Sequence, residues 1–183
     1  NFPALEGDKV TFIGSTFRKN GQIEPYLNHI VALNTCDPMG IDNEEIVTCH
    51  SEQDVLIEWC KIIQRENPDI IIGYNIFGFD YSFLLDRANE LGRQCSEAFL
   101  RLSRINDDVC ATWNRKTQEF DSATTTISIA SGTHELHYLA MSGRIQIDLY
   151  NYFRREYNLE SYKLDYVSGY FIGDGVKNLE HFK

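Results

Sequence analysis

The sequence predicts an α/β domain: a mixed, partly parallel sheet flanked by helices, with a β-hairpin inserted between residues 95 and 141. Three observations lead there. Ile70-Ile71-Ile72 is a short, wholly apolar, β-branched run that suits a strand covered on both faces. Apolar residues recur at helical spacing before it (Val55, Leu56, Trp59, Ile62, Ile63) and after it (Tyr81, Leu84, Leu85, Ala88, Leu91). Val10 to Phe17 and Thr124 to Ile129 are rich in the β-branched and aromatic residues that fit strands.

In chain order, Val10 to Phe17 and the apolar Ile30 to Leu33 flank the turn residues Lys19-Asn20-Gly21-Gln22, which predicts an antiparallel pair. Cys36 to Glu45, with Pro38, Gly40 and clustered acids, reads as an exposed loop. Ser51 and Asp54 have capping-box spacing, and the helix they open stops at Asn67-Pro68. Gly73 ends the isoleucine strand, and Gly92 stands where the helix opened by Asp80 needs its C-terminal cap. Cys95 to Met141 alternates polar stretches with β-formers and reads as a hairpin or small ribbon. Ile145, Ile147 and Leu149 alternate as a strand, Tyr150 to Tyr157 resumes helical spacing, and a last helix is predicted from Tyr162 to Phe171.

A chain of 183 residues, 43% hydrophobic and 13% aromatic, can bury one sizeable core. No repeat or low-complexity linker divides it, so residues 1–183 are read as a single domain. It opens on Asn1-Phe2-Pro3, with no basic-then-apolar signal segment and no apolar run long enough to cross a bilayer. A soluble excerpt of a longer intracellular protein, with no membrane partner, is expected. Cys36, Cys49, Cys60, Cys95 and Cys110 are odd in number and lack Cys-x-x-Cys spacing, which argues against structural zinc and for a reducing compartment. The formal charge of −10 weighs against DNA binding, since Lys and Arg normally supply it. A site for divalent cations gathers carboxylates, however, and basic residues that hold a polyanion can lie on other domains.

The chemistry concentrates in Tyr74-Asn75-Ile76-Phe77-Gly78-Phe79-Asp80, between the isoleucine strand and a helix. Turns at strand ends are where α/β folds place ligand groups. There Asn75 can hydrogen-bond a substrate, Phe79 can stack on a base, and Asp80 can bind a hard cation through oxygen. An Asp opening a helix is also an ordinary cap, and a Phe before it can simply enter the core.

Asn67-Pro68-Asp69-Ile70-Ile71-Ile72-Gly73 through Asp80, followed by Leu84-Leu85-Asp86-Arg87-Ala88, resembles the second exonuclease motif of family B DNA polymerases. Phe2-Pro3 with Val10 to Gly14 resembles the stretch after the first motif. Leu33-Asn34-Thr35-Cys36 is similar to a delta-type strand. Ser142 to Leu149, Arg155 to Leu159 and Ser161 to Leu164 resemble the segment between the second and third motifs. The likeness runs nearly end to end, toward delta-type eukaryotic enzymes and those of large DNA viruses.

That resemblance implies an RNase H-like sheet and a proofreading 3′→5′ exonuclease that removes mispaired 3′-terminal nucleotides with two ions, Mg²⁺ or Mn²⁺. Asp80 maps onto the metal-binding Asp of the second motif, and Asn75 and Phe79, with Tyr74, onto contacts with the terminal nucleotide. Asp148 lies in an Arg-x-x-x-Asp-Leu segment, either behind the metal site or as the cap of the following helix. The implied partners are the single-stranded 3′ end of a primer, the other polymerase domains of the same chain, and a sliding clamp or accessory subunits. The implied location is the nucleus or a viral replication compartment. The alternative is an exonuclease-like domain without catalysis, kept for a structural role in the polymerase.

Only one of the family's motif carboxylates maps here. Asp42-Asn43-Glu44 imitates Asp-x-Glu but falls in the Pro- and Gly-containing loop, and Tyr170 to Asp174 imitates Tyr-x-x-x-Asp with glycines on both sides of the acid. The first and third motifs are therefore expected outside residues 1–183, and the isolated fragment is expected to be inactive. His134 and His137 fall on opposite faces of a strand, so joint metal ligation is not expected. Tyr150, Tyr152, Phe153 and Tyr157 read as core rather than as a base-stacking platform. Arg154-Arg155 and Lys61 with Arg65 read as solvated helix faces, and Asp42, Glu44 and Glu45 as a solvated loop.

Overall fold

The computed structural model describes residues 8–105, 108–129 and 132–173. Phe2-Pro3 and the Asp174 mimic of a third motif lie outside them. Strands β1 (Phe12–Phe17), β2 (Leu27–Leu33) and β3 (Glu44–Cys49) form one sheet in that order. β1 and β2 are antiparallel, with Phe12 opposite Ala32 and Phe17 opposite Leu27. Gln22 N–H closes the expected turn on Lys19 O at 3.1 Å. β3 then runs parallel to β2, with Asn28 opposite Glu44.

β3 corrects the reading of Cys36 to Glu45 as continuous loop. Glu44 and Glu45 begin a strand because their charges are answered: Glu44 accepts from Met39 N–H at 2.8 Å, and Glu45 takes both Nη1 and Nη2 of Arg65 at 2.8 Å. Arg65 is thus an ion-paired residue rather than a purely solvated one.

Helix α1 (Glu52–Glu66) crosses this sheet as its spacing predicts. Ser51 Oγ accepts from Asp54 N–H at 3.2 Å, and Asn67, left-handed at φ 47°, ends the helix. Val55, Leu56, Trp59, Ile62 and Ile63 are all buried. Helix α2 (Tyr81–Leu91) is held to α1 by the buried pair of Arg87 with Glu52. Gly92 ends α2 as expected, but at once begins α3 (Arg93–Leu100), a helix where the pattern of Cys95 to Met141 predicts a ribbon. α3 buries Cys95 and Phe99 against the face of α1 that carries Trp59.

Strand β4 (Ile70–Gly73) pairs in parallel with β9 (Ile145–Asp148), Gly73 standing opposite Asp148. β4 is not covered on both faces as expected: Ile70 and Ile72 are 47% and 57% exposed. Two hairpins follow α3 in the chain, β5 (Thr112–Asn114) with β6 (Glu119–Asp121), and β7 (Ala123–Ile129) with β8 (Gly132–Tyr138). The inserted hairpin is therefore present and doubled.

Helices α4 (Leu149–Glu156) and α5 (Leu164–Ile172) complete the chain, α5 starting two residues later than expected because Lys163 is still extended. Their aromatic residues are not core. Tyr152 and Tyr157 are 39% and 40% exposed, and Phe153 and Tyr157 meet Phe171 at 4.9 and 4.8 Å between centroids. No α4 residue is fully buried; Phe153 stacks on Phe171 of α5, and the outer face of α4 stays open to solvent. All five cysteines are free thiols, and no helix among the described residues is long and apolar enough to cross a membrane.

Candidate nuclease site

The segment between β4 and α2 is an unusual turn. Asn75 adopts the left-handed conformation, φ 63° and ψ 24°, which Asn tolerates better than most residues. Ile76–Asp80 then forms a π-helical turn, a wider winding frequent at functional sites, and delivers Asp80 to the start of α2. Two glycines make the turn possible. A Cβ on Gly73 would lie 2.4 Å from Ile76 Cγ2, and one on Gly78 would lie 2.3 Å from Asn75 Oδ1. The Asn75 side chain therefore rests on the bare backbone of Gly78.

Asp148 locks this arrangement from the neighbouring strand. Its Oδ1 accepts from Asn75 N–H at 2.8 Å and Tyr150 N–H at 2.9 Å. Its Oδ2 accepts from Phe77 N–H at 3.0 Å and Asn151 Nδ2 at 2.9 Å. The helix-cap role weighed from the sequence is correct, and the same carboxylate also grips the motif turn.

The remaining motif side chains divide by contact. Phe79 stacks on Phe83 at 5.1 Å and 21°, half-exposed. Phe77 turns the other way, between Tyr81 at 6.0 Å and Tyr138 of β8 at 6.1 Å, tying the turn to the hairpin. Tyr74 donates its hydroxyl to Tyr162 O at 2.6 Å and meets Tyr150 edge-on at 5.7 Å. Arg154, expected on a solvated face, instead lies over the Tyr150 ring at 5.2 Å and places Nη2 3.1 Å from His134 Nε2. An arginine only donates, so that ring nitrogen accepts. Among the described residues neither His134 nor His137 belongs to a group of three His, Cys, Asp or Glu side chains.

Asp80 stands in the wall of a cleft of about 370 Å³ between β1 and β4. Consecutive residues of both strands line it, Ile13 to Phe17 and Ile70 to Gly73. Side chains alternate across a strand, so a run of consecutive residues means that the cleft meets strand edges rather than a sheet face. β1 hydrogen-bonds only to β2 and β4 only to β9 among the described residues, leaving these two edges without a strand partner. Trp59, Ile63, Tyr81 and Leu84 give the cleft apolar walls.

The Asp80 carboxyl keeps solvent access, yet the surrounding protein raises its pKa, and the nearby Asp148 charge adds to the rise. A cation would relieve both effects. Asp148 is no second ligand, because four donors already occupy its oxygens. Among the described residues no three His, Cys, Asp or Glu side chains converge, so they fit one metal ligand and not a complete site.

The motif turn carries one carboxylate just past the end of a parallel strand, and the comparison with known proteins gives the family of the chain. Residues 1–167 match the model of the DNA polymerase family B exonuclease domain, and the chain belongs to that family. It is 44% identical to a DNA polymerase of Phaeocystis pouchetii virus, with 98% of this chain and 18% of that protein covered. It is 40% identical to a DNA polymerase of Pyramimonas orientalis virus, over 96% of this chain and 13% of that one. It is 34% identical to the DNA polymerase delta catalytic subunit of Candida albicans, over 98% and 16%. The chain thus spans less than a fifth of each relative's length.

The sequence reading singled out Asp80, Asn75, Phe79 and Tyr74, and the structure gathers them on one turn. Phe77 and Gly78 stand inside the quoted motif and Tyr81 opens the apolar stripe of α2, but their part in shaping the turn comes only from the structure.

Proposed function

We propose that this chain is the proofreading 3′→5′ exonuclease domain of a replicative DNA polymerase. The observation that carries this reading is Asp80, set by a locked turn into a cleft between two unpaired strand edges. A further strand from the polypeptide ahead of Asn1 would complete an RNase H-like sheet there, antiparallel or parallel to each edge, and bring the Asp-x-Glu of the first motif beside Asp80. The unpaired edges and the exposed Ile70 and Ile72 support that placement.

In this reading Asp80 is one ligand of two divalent ions, Mg²⁺ or Mn²⁺, which would activate water and stabilise charge at the 3′-terminal phosphodiester. Asn75 positions the terminal nucleotide by hydrogen bonding and the half-exposed Phe79 stacks on its base, while Tyr74 braces the turn. The substrate is a frayed single-stranded primer end, delivered by the remaining polymerase domains. A mismatched end frays at lower cost, and that difference gives selectivity.

A second reading, an inactive exonuclease-like domain with a structural role, is favoured by the lack of three converging carboxylates among the described residues. One experiment separates the two. Digestion of a 3′-mismatched primer by the full-length polymerase should fall about a thousandfold in Asp80→Ala, the equivalent of a few kcal/mol of transition-state stabilisation. Equal digestion by wild type and variant, or none by either, would overturn the proofreading reading.

A further inference from the structure

We propose that Asp148 is a positioning residue for removal of the 3′-terminal nucleotide: its buried carboxylate fixes the backbone at Asn75 and Phe77, and so sets where Asn75 and Phe79 meet the DNA end. The inference rests on the proofreading reading above and names a residue through which that site is held in shape.

Asp148 is 4% exposed, and no ion pair among the described residues includes it. A buried anion without a cationic partner is costly unless hydrogen bonds replace its water. Here the replacement comes from two N–H groups of the motif turn, one at the N-terminus of α4 and the amide of Asn151. A carboxylate offers about four lone-pair sites, so it is saturated and free for neither a metal nor the DNA. What it does is join three segments: the end of β9, the first turn of α4, and the turn carrying the substrate contacts.

The consequence reaches the substrate side through Asn75. Its backbone is left-handed, a conformation that needs outside support, and its N–H is held at 2.8 Å by Asp148 Oδ1. On this backbone the side chain lies over Gly78, and Phe79 N–H closes on Asn75 O at 3.0 Å. Shifting the Asn75 peptide moves both substrate-facing residues together. A simple cap for α4 would need only the bond to Tyr150 N–H.

Asparagine has nearly the size of aspartate but one acceptor oxygen, and its NH₂ would meet N–H donors. Asp148→Asn therefore breaks the grip on the turn with little change in volume. Asn151→Ala is the gentler variant, since it removes one bond that aims the carboxylate at a half-buried position.

The test is steady-state digestion of a single-stranded oligonucleotide with Mg²⁺ by the full-length polymerase, with primer extension measured alongside. Asp148→Asn should raise KM about tenfold, with a smaller change in kcat and unchanged extension. Asn151→Ala should shift KM in the same direction by less. The penalties of Asp148→Asn and Asn75→Ala should be non-additive, because the first already misplaces the group the second removes. If Asp148→Asn also loses extension or melts early, Asn151→Ala decides alone. A wild-type KM in Asn151→Ala, or additive penalties in the double variant, would overturn the inference and leave Asp148 a helix cap. Asp80→Ala keeps the two readings apart. If it digests like wild type, the proofreading reading fails and this one with it. If it is inactive while both Asp148→Asn and Asn151→Ala keep the wild-type KM, only this inference fails.

Discussion

Arg87 grips Glu52 with two guanidinium nitrogens, Nε at 2.9 Å from Oε1 and Nη2 at 2.6 Å from Oε2, both residues nearly inaccessible to water. The same Glu52 accepts Val10 N–H at 2.9 Å, so one carboxylate joins α1, α2 and the approach to β1.

Removing one partner strands a buried charge. Glu52→Ala should cost about 3–5 kcal/mol in chemical denaturation. Burial pushes the Glu52 pKa up, but the bonds from Arg87 and Val10 N–H outweigh it and hold the carboxyl below its usual range. Its folded pKa is therefore below the unfolded one. The stability it lends is complete above about pH 4.3 and is lost as pH falls through the folded value. An acid titration of the unfolding midpoint that is unchanged by Glu52→Gln would contradict this.

His29 gives a second, higher step. It is 3% exposed, and burial lowers its pKa against the opposing pull of Glu45, whose Oε1 lies 3.6 Å from Nε2. A histidine depressed in the folded state is kept neutral there, so the unfolded chain binds the extra proton. Stability is full above about pH 6.5 and declines as pH falls toward the folded pKa. The slope between pH 5 and 7 should flatten in His29→Phe, as read by denaturation midpoints.

Gly78→Ala tests the motif turn without touching a charged group. Its Cβ would meet Asn75 Oδ1 at 2.3 Å, so the Asn75 side chain must leave its place. Exonuclease kcat/KM should fall at least tenfold while primer extension is kept, since a misplaced contact of about 1.4 kcal/mol is worth that factor.

Tyr81 carries a hydroxyl that is buried with no hydrogen-bond partner among the described residues. Leaving such a group unsatisfied costs about 1–3 kcal/mol, so Tyr81→Phe should stabilise this chain by roughly 1 kcal/mol. A lower melting temperature in the variant would show that the hydroxyl has a partner.

What could be read in the sequence was local. Helix α1 announced itself because Ser51, Asp54, the apolar stripe from Val55 to Ile63 and Asn67 all agree within one segment. The motif turn was found for the same reason. β3 was missed because Ile46-Val47 is too short an apolar run, and its two leading acids are tolerated only through Arg65, which lies on another element. α3 was missed because Gly92 both ends α2 and opens it, and a glycine reads as a break. The π-helical winding and the hold of Asp148 on Asn75 depend on residues 73 positions apart, which no local pattern encodes. The exposed face of β4, with Ile70 and Ile72, went unforeseen because an apolar run reports a tendency to be covered and not what covers it.

The most direct measurement is the structure of the full-length polymerase with Mn²⁺ and a single-stranded oligonucleotide, the ions located by anomalous scattering. The expected result is an added strand in the cleft between β1 and β4, its carboxylates facing Asp80, and an ion at oxygen-ligand distance from the Asp80 carboxylate with the 3′ end against Asn75 and Phe79. An ion-free Asp80, or a cleft filled by anything other than a strand bearing carboxylates, would contradict it.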